Sequence, residues 1–512
     1  SGRSSTERSP HPGVSDNPIK HLKSLVFRFT DLKPFRMSVN IYYLSLHIIS
    51  ENLTMNNSNN LLTEGPVGKG LLVVALPIII SNFLASILEV VDMYFIGKLG
   101  DVSIAGGAMS ISIILVLTTV IFGIVTATAA FVSRAYGSER FERIQVILSH
   151  SLYLALAFSA ILAVIGLFWS QDLLLLLGAD PEVAAEGARF LSPMLIGMFV
   201  FVTLMILTTV FQSTGDSRTP MFVMIAVNIV NIVMNPTLIT GLGGFPALGI
   251  AGSAYASLTS RTTGVLLLIG VMYLLPSRKN GPVRFPKKWT FEPRLIKDIV
   301  KVTIPSAVQS GVRSFAFLGM TAIVALYGTA AVAAYGICQR LDMLGLVFVM
   351  GLCTGVAVMV GQNLGAGKVE RAEKAVRIAT IVNASFMALV GIIYLLYAKH
   401  LLAFFGAAGE TLADGILFMQ VIPMSYFVIA MAMTMGFAMN GAGMTRPGMY
   451  AAIAGQLIVQ VGLAAMVVAM GLPLQFVWFA VVCGTVVVFL CDLFFYKQGV
   501  WKTKKLNLGG EN

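Results

Sequence analysis

LLVVALPIIISNFLASILEVVDMYFIGKLG, residues 71–100, is long and apolar enough to cross a bilayer, since about 20 apolar residues span roughly 30 Å of hydrocarbon. It contains Pro77 and, in its second half, two acids, Glu89 and Asp92. On a helix, Asn82, Ser86, Glu89 and Asp92 fall within one arc, so their polar atoms can share a face. A charge at membrane depth costs about 2.5–3.5 kcal/mol on insertion scales, so it normally faces a bundle interior or an aqueous cavity. The plainer reading solvates both acids among headgroups, because Asp92 lies close to the Lys98–Asp101 turn.

Outward from this helix, composition sets the class. Of 512 residues, 57% are hydrophobic and 12% charged, with a mean hydropathy of +0.84. Soluble domains carry about 25% charged residues, so the balance is that of a polytopic membrane protein. The net charge of +11 could indicate nucleic acid, but the basic residues sit in short loops between apolar runs, as membrane topology requires. Cys338, Cys353, Cys483 and Cys491 all lie inside apolar segments and read as small buried hydrophobes. Residues 1–62 are polar and Ser/Pro-rich at their start and read as a disordered or vector-derived tail, with Met37 and Met55 as candidate natural starts.

Further apolar runs recur at about 103–133, 144–168, 187–212, 219–242 and 247–275. A basic linker, 276–294, separates them from six more at about 295–326, 329–360, 375–397, 413–438, 447–470 and 474–496. Unpaired backbone cannot sit in lipid, and these runs lack the alternation of a barrel strand, so all twelve are expected to be helices. The expected domains are an N lobe (63–275), a C lobe (295–498) and a terminal tail (499–512).

The two sets are copies. A shift of 228 pairs Glu64 with Glu292, Pro77 with Pro305, Gly100 with Gly328, Gly137 with Gly365, Arg143 with Arg371 and Phe190 with Phe418. A shift of 227 then pairs Pro220 with Pro447 and Pro246 with Pro473. Six helices per copy leave both halves in the same orientation, the parallel type of repeat. Alternate loops carry Arg134, Arg140 and Arg143, then Arg218, the linker, Lys368 and Arg371, and Arg446. Positive loops stay inside, so both termini and the linker are expected in the cytoplasm of a multi-pass plasma-membrane protein.

The motifs are more specific. Helix 1 ends in DMYFIGKLG (92–100), helix 5 contains NIVMNP (231–236), and PALGIAGSA follows from Pro246. AFVSRAYG (130–137) has a second-half partner in VMVGQNLGAGK (358–368). In this order and doubling, residues 64–498 resemble the multidrug and toxic compound extrusion (MATE) family, in the branch that carries its acid in the N lobe. The resemblance implies an all-α membrane fold of twelve helices, two six-helix lobes forming a V around a central cavity. It implies a secondary exporter of amphipathic, often cationic compounds in exchange for Na⁺ or H⁺. Such a protein is not an enzyme, needs no cofactor beyond the coupling ion, and works as a monomer on small-molecule substrates in the lipid bilayer without nucleic acid.

The positions matching the family's N-lobe cation site are Asp92, Asn231, position 235 and Ser253, with Glu89 as an alternative carrier one turn away. Chemistry agrees: Na⁺ is a hard cation that takes carboxylate, amide and hydroxyl oxygens, so Asp92, Asn231 and Asn235 are the metal-ligand candidates. Asn228, Asn231 and Asn235 share one helix face, and Pro236 frees a backbone carbonyl a turn earlier. Asn228 reads as an interhelical bonder. Related patterns often carry an acid where this chain has Asn235, which leaves Na⁺ and H⁺ both open as coupling ion.

The family's other arrangement places acids on helices 7 and 10. Here helix 7 offers Gln309 and Arg313 and helix 10 has no acid, so a coupling site in the C lobe is not expected. Gln309, Arg313, Gln456 and the methionines Met431 and Met435 are instead candidates for the substrate cavity, methionine suiting a surface that fits many ligands. Pro77, inside helix 1, is the candidate hinge. His150, alone in an apolar run, reads as a bonded core residue. The rival function is a lipid-linked oligosaccharide flippase of the same superfamily, which would need Arg261, Arg313 and Arg340 to face the cavity together.

Overall fold

The computed structural model of the chain describes residues 61–274, 283–286 and 289–509. The reading of residues 1–60 as disordered or vector-derived lies outside the described residues, as does the middle of the linker. Among the described residues every regular element is a helix. The N lobe holds α1 (Val67–Gly97), α2 (Asp101–Gly137), α3 (Phe141–Phe168), α4 (Pro181–Ile196 continued by Met198–Ser213), α5 (Arg218–Thr240) and α6 (Ile250–Leu274). The C lobe holds α7 (Pro293–Ala325), α8 (Thr329–Gly365), α9 (Val369–Phe404), α10 (Gly409–Gly441), α11 (Arg446–Ala469) and α12 (Leu474–Lys497). Ten of these helices are individually long and apolar enough to span a membrane, and the two pieces of α4 together make an eleventh. With α6, 25 residues long, in the remaining place, all twelve positions of the duplicated pattern are helical.

The apolar run at 187–212 is not one straight helix: α4 bends by 49° between its two pieces. Pro193 removes a backbone donor just before the break, and Leu258 of α6 fills the space a Cβ on Gly197 would need. Elsewhere the turn chemistry is duplicated with the sequence. Gly100 and Gly328 precede α2 and α8 with φ of 108° and 111°, a conformation that L side chains avoid.

Each lobe has its own apolar core, but the first helix of each lobe begins in the other lobe. Leu71, Val74, Ala75 and Ile78 of α1 are buried with Leu352, Val356 and Met359 of α8. The repeat counterparts of Val67, Leu71 and Val74, which are Leu295, Ile299 and Val302 of α7, are buried in the N-lobe core with Phe131, Ile144 and Leu148. Glycines permit these close crossings. A Cβ on Gly123 of α2 would lie 2.6 Å from the Thr303 carbonyl of α7, and one on Gly351 of α8 would run into Ile79 of α1. Further along the same two helices, a Cβ on Gly137 would strike the Gln362 carbonyl and one on Gly365 the Arg134 carbonyl.

The lobes are clasped at this same end, which carries the basic loops. Arg143 of α3 forms two hydrogen bonds to Glu292 at 3.0 and 2.6 Å, and its Nε donates to the Leu508 carbonyl at 2.8 Å. Arg371 of α9 donates to the carbonyls of Leu61, Leu62 and Gly65, ahead of α1. Residues 499–509 therefore do not dangle. Trp501 is fully buried, Lys502 pairs with Glu373, Arg134 donates to the Lys504 carbonyl at 3.0 Å, and Leu508 enters the N-lobe core.

Of the four cysteines, Cys338 and Cys353 are buried as small hydrophobes, whereas Cys483 is exposed and Cys491 half-exposed on α12. That outer face of α12 is apolar and suits lipid contact. His150 accepts the Glu292 amide N–H on Nε2 at 2.8 Å and bonds the Val146 carbonyl through Nδ1 at 2.6 Å, so both ring nitrogens are used in the core.

Candidate functional site

Asp92 lies five residues before the end of α1, buried at 9% exposure. Asn231 and Asn235 are one turn apart on α5, and their side chains are fully buried. Asp92 Oδ1 accepts hydrogen bonds from Asn231 Nδ2 at 3.0 Å and Asn235 Nδ2 at 2.8 Å. Oδ2 accepts from Ser257 Oγ of α6 at 2.5 Å. Three helices thus converge on one carboxylate, and Asn235 also donates to Asn231 Oδ1 at 3.0 Å. Charge-assisted bonds of this kind are about twice as strong as neutral ones. They offset the cost of holding an acid away from water.

The local chain explains the convergence. The N–H of Asn235 is still available within α5, but Pro236 has none, and the helix ends at Gly241 with φ of 79°. The chain then turns back through 242–249, and the Leu248 N–H pairs with the Leu238 carbonyl at 3.0 Å. A Cβ on Gly252 would lie 2.5 Å from that carbonyl. Glycine at 252 therefore lets α6 close on α5 and fixes how far α6 slides along it.

That slide decides which hydroxyl of α6 bonds Asp92. The resemblance placed Ser253 in the cation set, but the hydroxyl that reaches Asp92 belongs to Ser257, one turn further along the same face of α6. Ser253 is fully buried and its Oγ has no hydrogen-bond partner. Asn235 Oδ1 is likewise buried and unpartnered. Carboxylate and amide oxygens are donors a hard cation takes, so Asp92 and the Asn235 amide that bonds it fit Na⁺ as well as a proton. Asn228 bonds its own helix, to the Met224 carbonyl at 2.9 Å.

Glu89 is exposed and does not share the Asp92 bonds. Arg261 of α6 lies within electrostatic reach of both Glu89 and Asp92 and stacks on the Phe201 ring at 4.6 Å. Pro77 is buried inside an unbroken α1, where Ser81 Oγ donates to its carbonyl at 2.8 Å.

The substrate-cavity candidates of the C lobe stand on three helices, α7, α10 and α11. Gln309 packs against Gly448 at the start of α11, and Arg313 faces Asp492 of α12. Met431 and Met435 are half-buried on α10. Only Gln456 lines a described C-lobe cavity, of about 180 Å³, together with Asp342 and Tyr426.

The MatE family model matches the chain twice, over residues 77–237 and 305–466. The two matched segments begin where Pro77 and its repeat partner Pro305 stand. The chain is 27% identical to the probable multidrug resistance protein YoeA of Bacillus subtilis, over 72% of this chain and 80% of that protein. It is 26% identical to the FAD transporter of Shewanella oneidensis, over 74% of this chain and 83% of that protein. A MOP superfamily transporter structure from Pyrococcus furiosus superposes with a TM-score of 0.80 at 22% identity, covering 88% of this chain and 99% of the other. The doubled match covers more than half of the sequence, and it falls on the two lobes that the helices build: the chain belongs to the MatE family of membrane transporters.

Proposed function

We propose that this protein is a cation-coupled multidrug exporter, moving amphipathic and often cationic compounds out of the cell in exchange for Na⁺ or H⁺. The observation that carries the reading is the Asp92 carboxylate, buried where α1, α5 and α6 meet and held by Asn231, Asn235 and Ser257. An ionisable group at membrane depth is a functional site by default. Here it can exchange its three hydrogen-bond donors for a cation or take a proton. Either event changes what holds α1 to α5 and α6, and α1 also reaches into the opposite lobe. Binding at Asp92 is thereby joined to the contact between lobes, and Pro77, the proposed hinge, lies within the stretch of α1 that packs on α8. Names of relatives support the export of drugs.

The loop charges favour a plasma-membrane protein with both termini in the cytoplasm, so the clasped end is the cytoplasmic one. The arginines weigh against a flippase: Arg261 sits by Glu89 and Asp92 in the N lobe, and Arg313 by Asp492 in the C lobe. Each has an acid in its own lobe instead of joining a shared anion-binding wall. The test is efflux of a fluorescent organic cation from vesicles, with Na⁺ and proton gradients imposed separately and FAD as the anionic control. Gradient-driven efflux of the cation is expected. Transport of FAD alone, or of neither, would reject the reading.

A further inference from the structure

The repeat makes one polar cluster conspicuous. Under the shift that aligns the lobes, Asp342 of α8 stands opposite Ile114, Tyr426 of α10 opposite Met198, Gln456 of α11 opposite Ile229 and Gln460 opposite Val233. The fold is therefore built in the N lobe with apolar residues at all four positions. In the C lobe these polar residues line one cavity of about 180 Å³, with Gln339 and Tyr335.

Asp342 accepts a hydrogen bond from the Tyr426 hydroxyl and, among the described residues, has no cationic partner. Gln456 Oε1 is buried without a hydrogen-bond partner. One buried acceptor, Gln456 Oε1, thus lacks a donor in a cavity that also holds a carboxylate without a cation, and buried acceptors normally have a donor. The aromatic wall is already ordered: the Tyr335 ring stacks on Trp478 at 5.6 Å and meets Phe418 edge-on at 6.1 Å. Gln456 and Gln460 both belong to a π-helical segment, Ala452–Val461, a feature concentrated at functional sites.

We propose that this cavity binds a compact organic cation carrying at least two N–H donors, a protonated amine, amidine or guanidine. The carboxylate of Asp342 supplies the counter-charge and one acceptor, Gln456 Oε1 supplies the second, and the Tyr426 and Phe418 rings that line the cavity take the body of the ligand. The cavity is much larger than the roughly 30 Å³ that one water occupies in liquid, so a bare metal ion would be poorly held. A quaternary ammonium of equal size brings the charge but no N–H, leaving Gln456 Oε1 unpaired. This is a cargo site in the lobe opposite Asp92, and it rests on the reading that the protein exports cations.

The test uses the purified full-length chain in detergent, without any gradient. Binding of benzamidinium and of phenyltrimethylammonium is measured by calorimetry. Benzamidinium is expected to bind about tenfold or more tightly than phenyltrimethylammonium. Asp342→Asn should weaken benzamidinium by about tenfold or more. Gln456→Met, which keeps the length of the side chain, should reduce the preference to about threefold or less by weakening benzamidinium alone. If Asp342→Asn fails to fold, the Gln456→Met preference decides. Equal binding of the two probes, no binding of either, or indifference to these substitutions overturns the proposal. Benzamidinium that binds as expected yet shows no gradient-driven efflux from vesicles would leave the site standing and reject export instead.

Discussion

Replacing Asp92 with asparagine keeps the shape of the side chain and removes its charge. The carboxylate accepts three hydrogen bonds, two on Oδ1 and one on Oδ2. An amide oxygen can keep the two from Asn231 and Asn235, and an amide NH₂ can donate to Ser257 once that hydroxyl turns to accept. The Ser257 proton and the second amide N–H then need other acceptors, so Asp92→Asn should cost about 1–2 kcal/mol, less than full truncation. Asp92→Ala removes all three acceptor contacts. Asn231 and Asn235 keep weaker bonds to Ser257 Oγ and Asn231 Oδ1, and the Ser257 hydroxyl loses its acceptor at about 1–3 kcal/mol, with the lost packing of the side chain added. That is a substantial part of the roughly 5–15 kcal/mol typical of a native protein. The expected result is an Asp92→Asn protein that expresses and melts a little below the parent, and an Asp92→Ala protein that melts further below it. In vesicles, Asp92→Asn should lose efflux driven by either gradient while still binding cargo. Full gradient-driven efflux by a folded Asp92→Asn protein would refute the coupling role, and Glu89→Gln is the control one turn away.

Ser257→Ala should lower the melting temperature by several degrees, because it strips a charge-assisted bond worth about 1.5–3 kcal/mol from Asp92. Ser253→Ala removes an unpartnered hydroxyl and should be neutral or slightly stabilising in the same melt; the reverse order would mean that α6 sits one turn away from its described position. Asn235→Asp puts a second carboxylate within hydrogen-bond distance of Asp92, so Na⁺ affinity measured by calorimetry should rise, and rise most at high pH where both acids are ionised; affinity unchanged across pH would remove α5 from the cation set. Pro77→Ala should slow transport more than Pro305→Ala, since only α1 carries an acid of the site, and equal effects would indicate a shared packing role. Gly137→Ala should destabilise by forcing α2 off the Gln362 backbone, whereas Gly97→Ala, with open space around it, should melt like the parent.

The architecture was legible because duplication wrote it twice: prolines, glycines and loop charges recur at a fixed shift, and each recurrence landed on a real turn or crossing. Asp92, Asn231 and Asn235 were legible for a different reason. Spacing put each on a defined face of its own helix, and the resemblance to the family is what joined helices 1 and 5 in one site. Ser257 was not distinguishable from Ser253, because four residues apart on α6 means the same face. Only the axial slide set at Gly252 chooses between them. The partner of Asp342 was hidden for a similar reason. Arg340 is two residues away and faces elsewhere, so the bond had to come from another helix, and Tyr426 provides it. The packed chain ends were illegible: Trp501 and Leu508 are isolated apolar residues in a basic tail, with no periodicity to mark them as buried.

The clasp between lobes touches main chain more than side chain. Arg134 takes the carbonyl of Lys504, Arg143 that of Leu508, and Arg371 those of Leu61, Leu62 and Gly65. Every residue offers a carbonyl, so these contacts do not themselves depend on which side chain stands at the accepting position. What the arginines measure is spacing along the chain: one residue inserted between Lys497 and Lys504 would carry every later carbonyl out of register. The segments just before α1 and just after α12 are thus strict in length.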